Sequence, residues 1–176
     1  MKIVLLDNQT IAIGPIDLFC CELIRQIKIS AEPGDDAAAR ERLFPGPTAG
    51  NDDEAEEDWR EYVHPELERL FASHLDIIEG DLDGFPEESL PTATEEDGKV
   101  KFVSDEHVLR IPLTHLDAWI HGLNQARLAI AARHDFTEND MDGEIPLEGD
   151  GRALALFQIH FYGILQECFL RILGSE

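Results

Sequence analysis

One long apolar stretch, Ala153 to Leu173, constrains this chain more than any other feature. Gln158, His160, Gln166, Glu167 and Arg171 interrupt it. Crossing a bilayer with those side chains would be severely costly, so the stretch is expected to be a buried core helix and not a membrane span. With 176 residues the chain can build one domain around such a core, and a second core would be cramped. A composition of 43% apolar and 29% charged residues is that of a globular protein.

The charge balance narrows the choice of partner. Fourteen Lys and Arg stand against thirty-seven Asp and Glu, a formal net charge of −23. A surface of that sign repels phosphate, so no direct nucleic-acid binding is expected, and anionic membrane surfaces are disfavoured. The apolar start Ile3 to Leu6 stops at Asp7, far short of a signal peptide. Three cysteines, two of them adjacent, do not make a disulfide framework. A cytoplasmic protein is expected.

The rest of the chain reads as helices separated by acidic, Pro- and Gly-containing loops, with a small β element. Lys2 to Leu6 and Thr10 to Ile13 suggest two strands around Asp7-Asn8-Gln9. Gly14-Pro15 then predicts a helix to about Ile29, with Ile16, Phe19, Cys20, Leu23 and Ile27 on its buried face. Ser30 to Asn51 carries Pro33, Gly34, Pro45, Gly46, Pro47 and Gly50 and reads as a mobile loop dispensable for folding. Leu43 and Phe44 are its one candidate anchor.

A helical region follows from about Glu54 to Leu82, broken or restarted at Pro65. Its expected stripe is Leu67, Leu70, Phe71, Leu75, Ile78 and Leu82. Lys99 to Val103 and His107 to Ile111 suggest a hairpin. Thr114 and Asp117 have capping-box spacing before the clearest helix. Ile11-Ala12-Ile13-Gly14-Pro15 is echoed by Leu109-Arg110-Ile111-Pro112, so these two strands could share one antiparallel sheet. The expected fold is mainly α with a small antiparallel β element (α+β), a compact bundle of four to five helices forming one domain over residues 1–176.

No catalytic set, cofactor motif or metal site is expected from the residues. Glu79 to Gly84 and Glu138 to Gly143 imitate the start of a calcium loop. Each lacks the glutamate at the twelfth place, where Leu90 and Gly149 stand, and each reads as a solvated acidic turn. No two of the seven histidines have the i, i+4 spacing of a helical metal pair. Cys20 and Cys21 diverge on a helix and cannot bridge. Cys20 is expected in the core and Cys21 nearer the polar side, so a redox role for Cys20 or Cys21 would need Cys168 or another chain.

Arg127 interrupts the stripe Leu116, Ile120, Leu123, Ile130 and His134. On the last helix, His160, Ile164, Glu167 and Arg171 form a comparable mixed stripe. If the stripes meet, Arg127 can fork onto Glu167, with Asn124 completing a buried polar network. The alternative is a local Glu167–Arg171 pair, with Arg127 reaching water.

His115-Leu116-Asp117-Ala118-Trp119, Leu123-Asn124-Gln125-Ala126-Arg127-Leu128-Ala129 and Leu165-Gln166-Glu167 before a last apolar run form a recognisable set. Trp59 to Leu67 adds a weaker match. The set resembles the bacterial domain-of-unknown-function family two thousand and seventeen. Some actinobacterial relatives carry the label of oxidative-stress transcriptional regulator, and such genes often lie near the Clp protease adaptor. If that label rests on paired thiols, this chain departs from it, because Cys20 and Cys21 are adjacent and Cys168 stands alone. The resemblance and the charge together favour a non-enzymatic protein-interaction or regulatory domain, linked to transcription or stress response through a protein partner. The alternatives are a cysteine-dependent redox-responsive regulator, and an enzyme or metal protein whose site is assembled from distant residues.

Overall fold

A computed structural model describes residues 2–7, 9–85, 94–96, 99–101, 107–141 and 151–174. The fold is mainly helical with a small antiparallel sheet, as expected. Strands β1 (Lys2–Leu5) and β2 (Thr10–Ile16) pair antiparallel, with Asp7 Oδ1 accepting the Gln9 N–H at 2.7 Å in the turn between them. A second hairpin pairs β3 (Thr94–Glu96) with β4 (Lys99–Lys101). Strand β5 (His107–Pro112) lies along the other side of β2, with Ile11 opposite Ile111 and Ile13 opposite Leu109. These four side chains are buried, and on β5 Leu109 and Ile111 alternate with exposed Val108 and Arg110, the period of a half-buried strand, whereas Ala12 on β2 is buried as well. The echo between the two strand segments thus marks a real pairing.

The expected hairpin of 99–103 with 107–111 does not form. Strand β4 turns to β3, and Val103 lies outside the described residues. Strand β5 has a core face at Leu109 and Ile111, and β2 offers the matching one at Ile11 and Ile13. The helix expected at Gly14-Pro15 also starts later. The chain stays extended through the cis Gly14–Pro15 peptide, and Ile16 still pairs with His107. Asp17 is the cap of helix α1 (Leu18–Arg25), its carboxylate accepting the Cys20 N–H at 2.8 Å. The later start turns the helix: Cys21, Leu23 and Ile24 are buried, while Phe19 is 52% exposed. Helix α2 (Ile27–Ala31) follows, and Arg133 donates to its Ser30 carbonyl at 2.7 Å.

The loop expected over Ser30 to Asn51 contains helix α3 (Ala37–Leu43). Asp36 caps it by accepting the Ala39 N–H at 2.8 Å, and Arg40 pairs with Glu68 at 2.9 Å. Ala39, Leu43 and Phe44 are buried against Ala129, so the anticipated anchor at Leu43 and Phe44 exists within a larger structured unit. Glu56 then ties down the Pro45–Asn51 turn: its Oε1 accepts from Thr48 N, Thr48 Oγ1 and Gly50 N at 2.8–3.1 Å. Those donors hold the Glu56 carboxyl below the ordinary carboxylate range.

Helix α4 (Asp53–Asp58), capped by Asp52, runs through a π-helical turn at Trp59–Val63 into helix α5 (His64–Asp81). Pro65 sits in the first turn of α5, as its ring requires. On the expected stripe Leu75 and Ile78 are buried, whereas Leu70 is half exposed. The Thr114–Asp117 capping box is not made; a 3-10 turn at Leu113–His115 leads into helix α6 (Leu116–Arg133). The N–H of Leu113 donates to the Gln9 carbonyl at 2.7 Å instead.

Helix α6 is the centre of the molecule. Helices α2, α3, α5 and α8 (Gly151–Leu173) all pack on it, so it is buried around most of its circumference: Trp119, Leu123, Ala126 and Ala129 have no exposed surface. At Gly122 a Cβ would lie 2.3 Å from Ile78 Cδ1, so glycine allows the close approach of α5. A short helix, α7 (Glu138–Met141), lies between α6 and α8. By length and composition α8 would suit a membrane span, yet Leu156, Ile159, Tyr162, Leu165 and Phe169 are buried in the protein core.

Candidate functional site

Helices α6 and α8 meet as the two stripes require, but the polar contact differs from the expected one. Arg127 Nη1 donates to Gln166 Oε1 at 2.7 Å, and Gln166 Nε2 donates to the Ile120 carbonyl at 3.1 Å. Glu167 points outward and accepts from Arg171 at 2.6 Å, the local i, i+4 pair. Successive residues on a helix are about 100° apart, so once Gln166 faces α6, Glu167 cannot. Asn124 does not complete the network; it is exposed on a cleft beside Arg127.

That cleft, about 420 Å³, lies between α3, α6, α7 and α8. Arg42, Asn124 and Arg127 bring polar groups to it, Leu128, Phe136 and Ile159 form apolar wall, and Thr137 and Glu138 stand at its α7 side. The Arg127 guanidinium lies against Gly163, where an added Cβ would come within 3.4 Å of Cζ. Arg127 Nε is buried without a partner among the described residues.

Two further polar contacts were not legible in sequence. Asp81, at the end of α5, accepts Trp119 Nε1–H at 2.8 Å and lies 2.9 Å from His115 Nδ1. The side chain of Asp81 is only 9% exposed, so it clasps α5 to the start of α6. Tyr162 donates to the Leu23 carbonyl at 2.6 Å and accepts from Gln158 Nε2 at 2.7 Å; Gln158 also reaches Ser30 Oγ at 3.1 Å. The first calcium-like segment is accounted for by these contacts. Glu79 and Asp81 belong to the last turn of α5, where Glu79 pairs with Lys28 at 2.7 Å. In the second, Glu138–Met141 form α7, and Asp142 and Gly143 lie outside the described residues.

The cysteines exchange their expected places. Cys21 is 1% exposed and Cys20 is the half-buried one, because α1 starts at Leu18. Burial, reinforced by Asp17, pushes the Cys21 thiol up to about 11 and raises Cys20 as well. Both therefore stay protonated at neutral pH and are poor nucleophiles. Cys168 is a free, half-buried thiol on α8.

Beside Cys20 an apolar seam reaches the surface between α1 and α8. Phe19 lies 5.5 Å from Phe157, which in turn stacks on Phe161. Leu18 is 55% exposed, and Ile164, two turns beyond Phe157 on the same face of α8, is 54% exposed.

A family model described as Domain of unknown function (DUF2017) matches residues 20–173. The chain belongs to this family. Within the DUF2017 match lie α2 to α8, the Asn124–Arg127 cleft and all but the first residues of the α1–α8 seam, while β1 and β2 precede it. No curated protein and no solved structure matches the chain.

Proposed function

We propose that the protein is a non-enzymatic regulatory domain of the cytoplasm that acts by docking on a protein partner. The observation that supports this reading is the exposed aromatic seam. Phe19 keeps half of its surface in water beside Phe157, and half-exposed aromatic groups are the anchors that protein interfaces bury. The surrounding charge selects the partner. At −23 overall, the domain favours a surface with basic residues around an apolar recess and steers such a partner toward itself.

The test compares capture by the wild-type chain and by Phe19→Asp from extracts of the native cell. Phe19 is a half-exposed residue of a surface helix, so the variant should keep its helical circular dichroism. A specific partner with a basic surface should be retained by the wild type, lost with Phe19→Asp and released by salt. Equal retention by both proteins would refute the seam as the docking surface.

A further inference from the structure

We propose that the Arg42–Asn124–Arg127 cleft binds a small molecule that carries one carboxylate on an apolar body. This site is separate from the α1–α8 seam, and neither reading depends on the other. Cations are scarce in this chain, fourteen against thirty-seven acidic residues, and several are committed to carboxylates: Lys28 to Asp76 and Glu79, and Arg40 to Glu68. Arg42 and Arg127 line one cleft, and neither has a carboxylate partner among the described residues; Glu138, at the same cleft, pairs with neither.

The geometry favours recognition of a planar anion. Gln166, itself anchored on the Ile120 carbonyl, holds Arg127 through Nη1 alone. Nε is buried against Gly163 without a partner among the described residues, so the guanidinium is incompletely paired, and an anion at the opening would meet its charge through the η nitrogens. A guanidinium fork matches a carboxylate, and Arg42 and Asn124 supply further donors at the same opening. Leu128, Phe136 and Ile159 offer the apolar wall, and a volume of about 420 Å³ falls within the range of small-molecule sites. The acidic surroundings favour a monoanion over a dianion, since each added charge must enter a negative field.

Phenylacetate is a suitable probe, titrated into the full-length isotope-labelled chain at low ionic strength and followed by NMR chemical shifts. Saturable shifts are expected at Asn124, Arg127 and Ile159. Phenylacetamide, of the same shape without the charge, should bind at least about tenfold more weakly, the loss of one charge-assisted contact. Arg127→Met should weaken phenylacetate by a similar factor, and Gln166→Leu, which frees the guanidinium without removing its charge, by less. Arg42→Met changes an exposed residue and carries the test should Arg127→Met fail to fold; it should weaken binding several-fold. Absence of saturation, equal binding of the amide, wild-type affinity in both arginine variants, or displacement by equimolar inorganic phosphate would each overturn the proposal.

Discussion

Tyr162 has no exposed surface, and its hydroxyl satisfies two groups that come from different parts of the chain, the Leu23 carbonyl and the Gln158 amide. Burial pushes its phenol up to about 12, so it remains a neutral donor. Tyr162→Phe keeps the ring but removes one bond from each partner, while the Leu23 carbonyl keeps the Gln26 N–H and Gln158 keeps Ser30, and should cost about 0.5–1.5 kcal/mol. A lower urea midpoint at unchanged m-value would show it. His74 stacks on His121 at 4.9 Å. Burial first, then the like charge of His121, hold its pKa below the ordinary 6.5, with Asp117 opposing. The unfolded chain therefore takes up this proton first as pH falls. The contribution of His74 to stability is complete above the ordinary value and is lost as pH drops through it toward the folded value. His74→Gln should lose less of its urea midpoint between pH 7.5 and 5.5 than the wild type; an equal loss would assign the acid sensitivity to other groups.

Helix α3 shows what an element needs in order to be seen in a sequence. It spans only seven residues and buries Ala39 and Leu43 against Ala129 of α6, too short a segment with too few large apolar side chains to show a stripe. Leu43→Ala should therefore cost about 2–4 kcal/mol, a core truncation, measurable as a drop in thermal midpoint; a loss within error would return the segment to a dispensable loop. Other elements were legible because their signals were redundant. Helix α8 carries a long apolar run, Pro65 marks the start of α5, and Ile11 and Ile13 share an alternation with Leu109 and Ile111. At the candidate site, Arg127 stood out as a polar interruption of an apolar stripe, and Asn124 was expected beside it in a polar network. The partner of Arg127 was misplaced by one residue, because a periodic pattern shows that two helices meet but does not fix their rotation to within one side chain. Arg42 could not be found at all, since it reaches the cleft only through the unseen α3.

At the scale of the whole molecule, the charge of −23 works against the same compact fold that local contacts hold together. Attractive pairs do exist: Lys28 joins α2 to α5, and Arg40 joins α3 to α5. These pairs lie largely at the surface, where each is worth at most about 1 kcal/mol. Repulsion among the remaining carboxylates acts over longer distances, and folding concentrates it. Salt separates the two effects, because the screening length falls from about 30 Å at 0.01 M to about 8 Å at 0.15 M. Contacts at hydrogen-bond distance lose little over that range, whereas repulsion across the width of the domain loses most of its strength. The thermal midpoint should therefore rise as sodium chloride is raised from 0.01 to 0.15 M, and rise less over a further equal increment. A midpoint that stays flat or falls would mean that the short-range pairs outweigh the net charge.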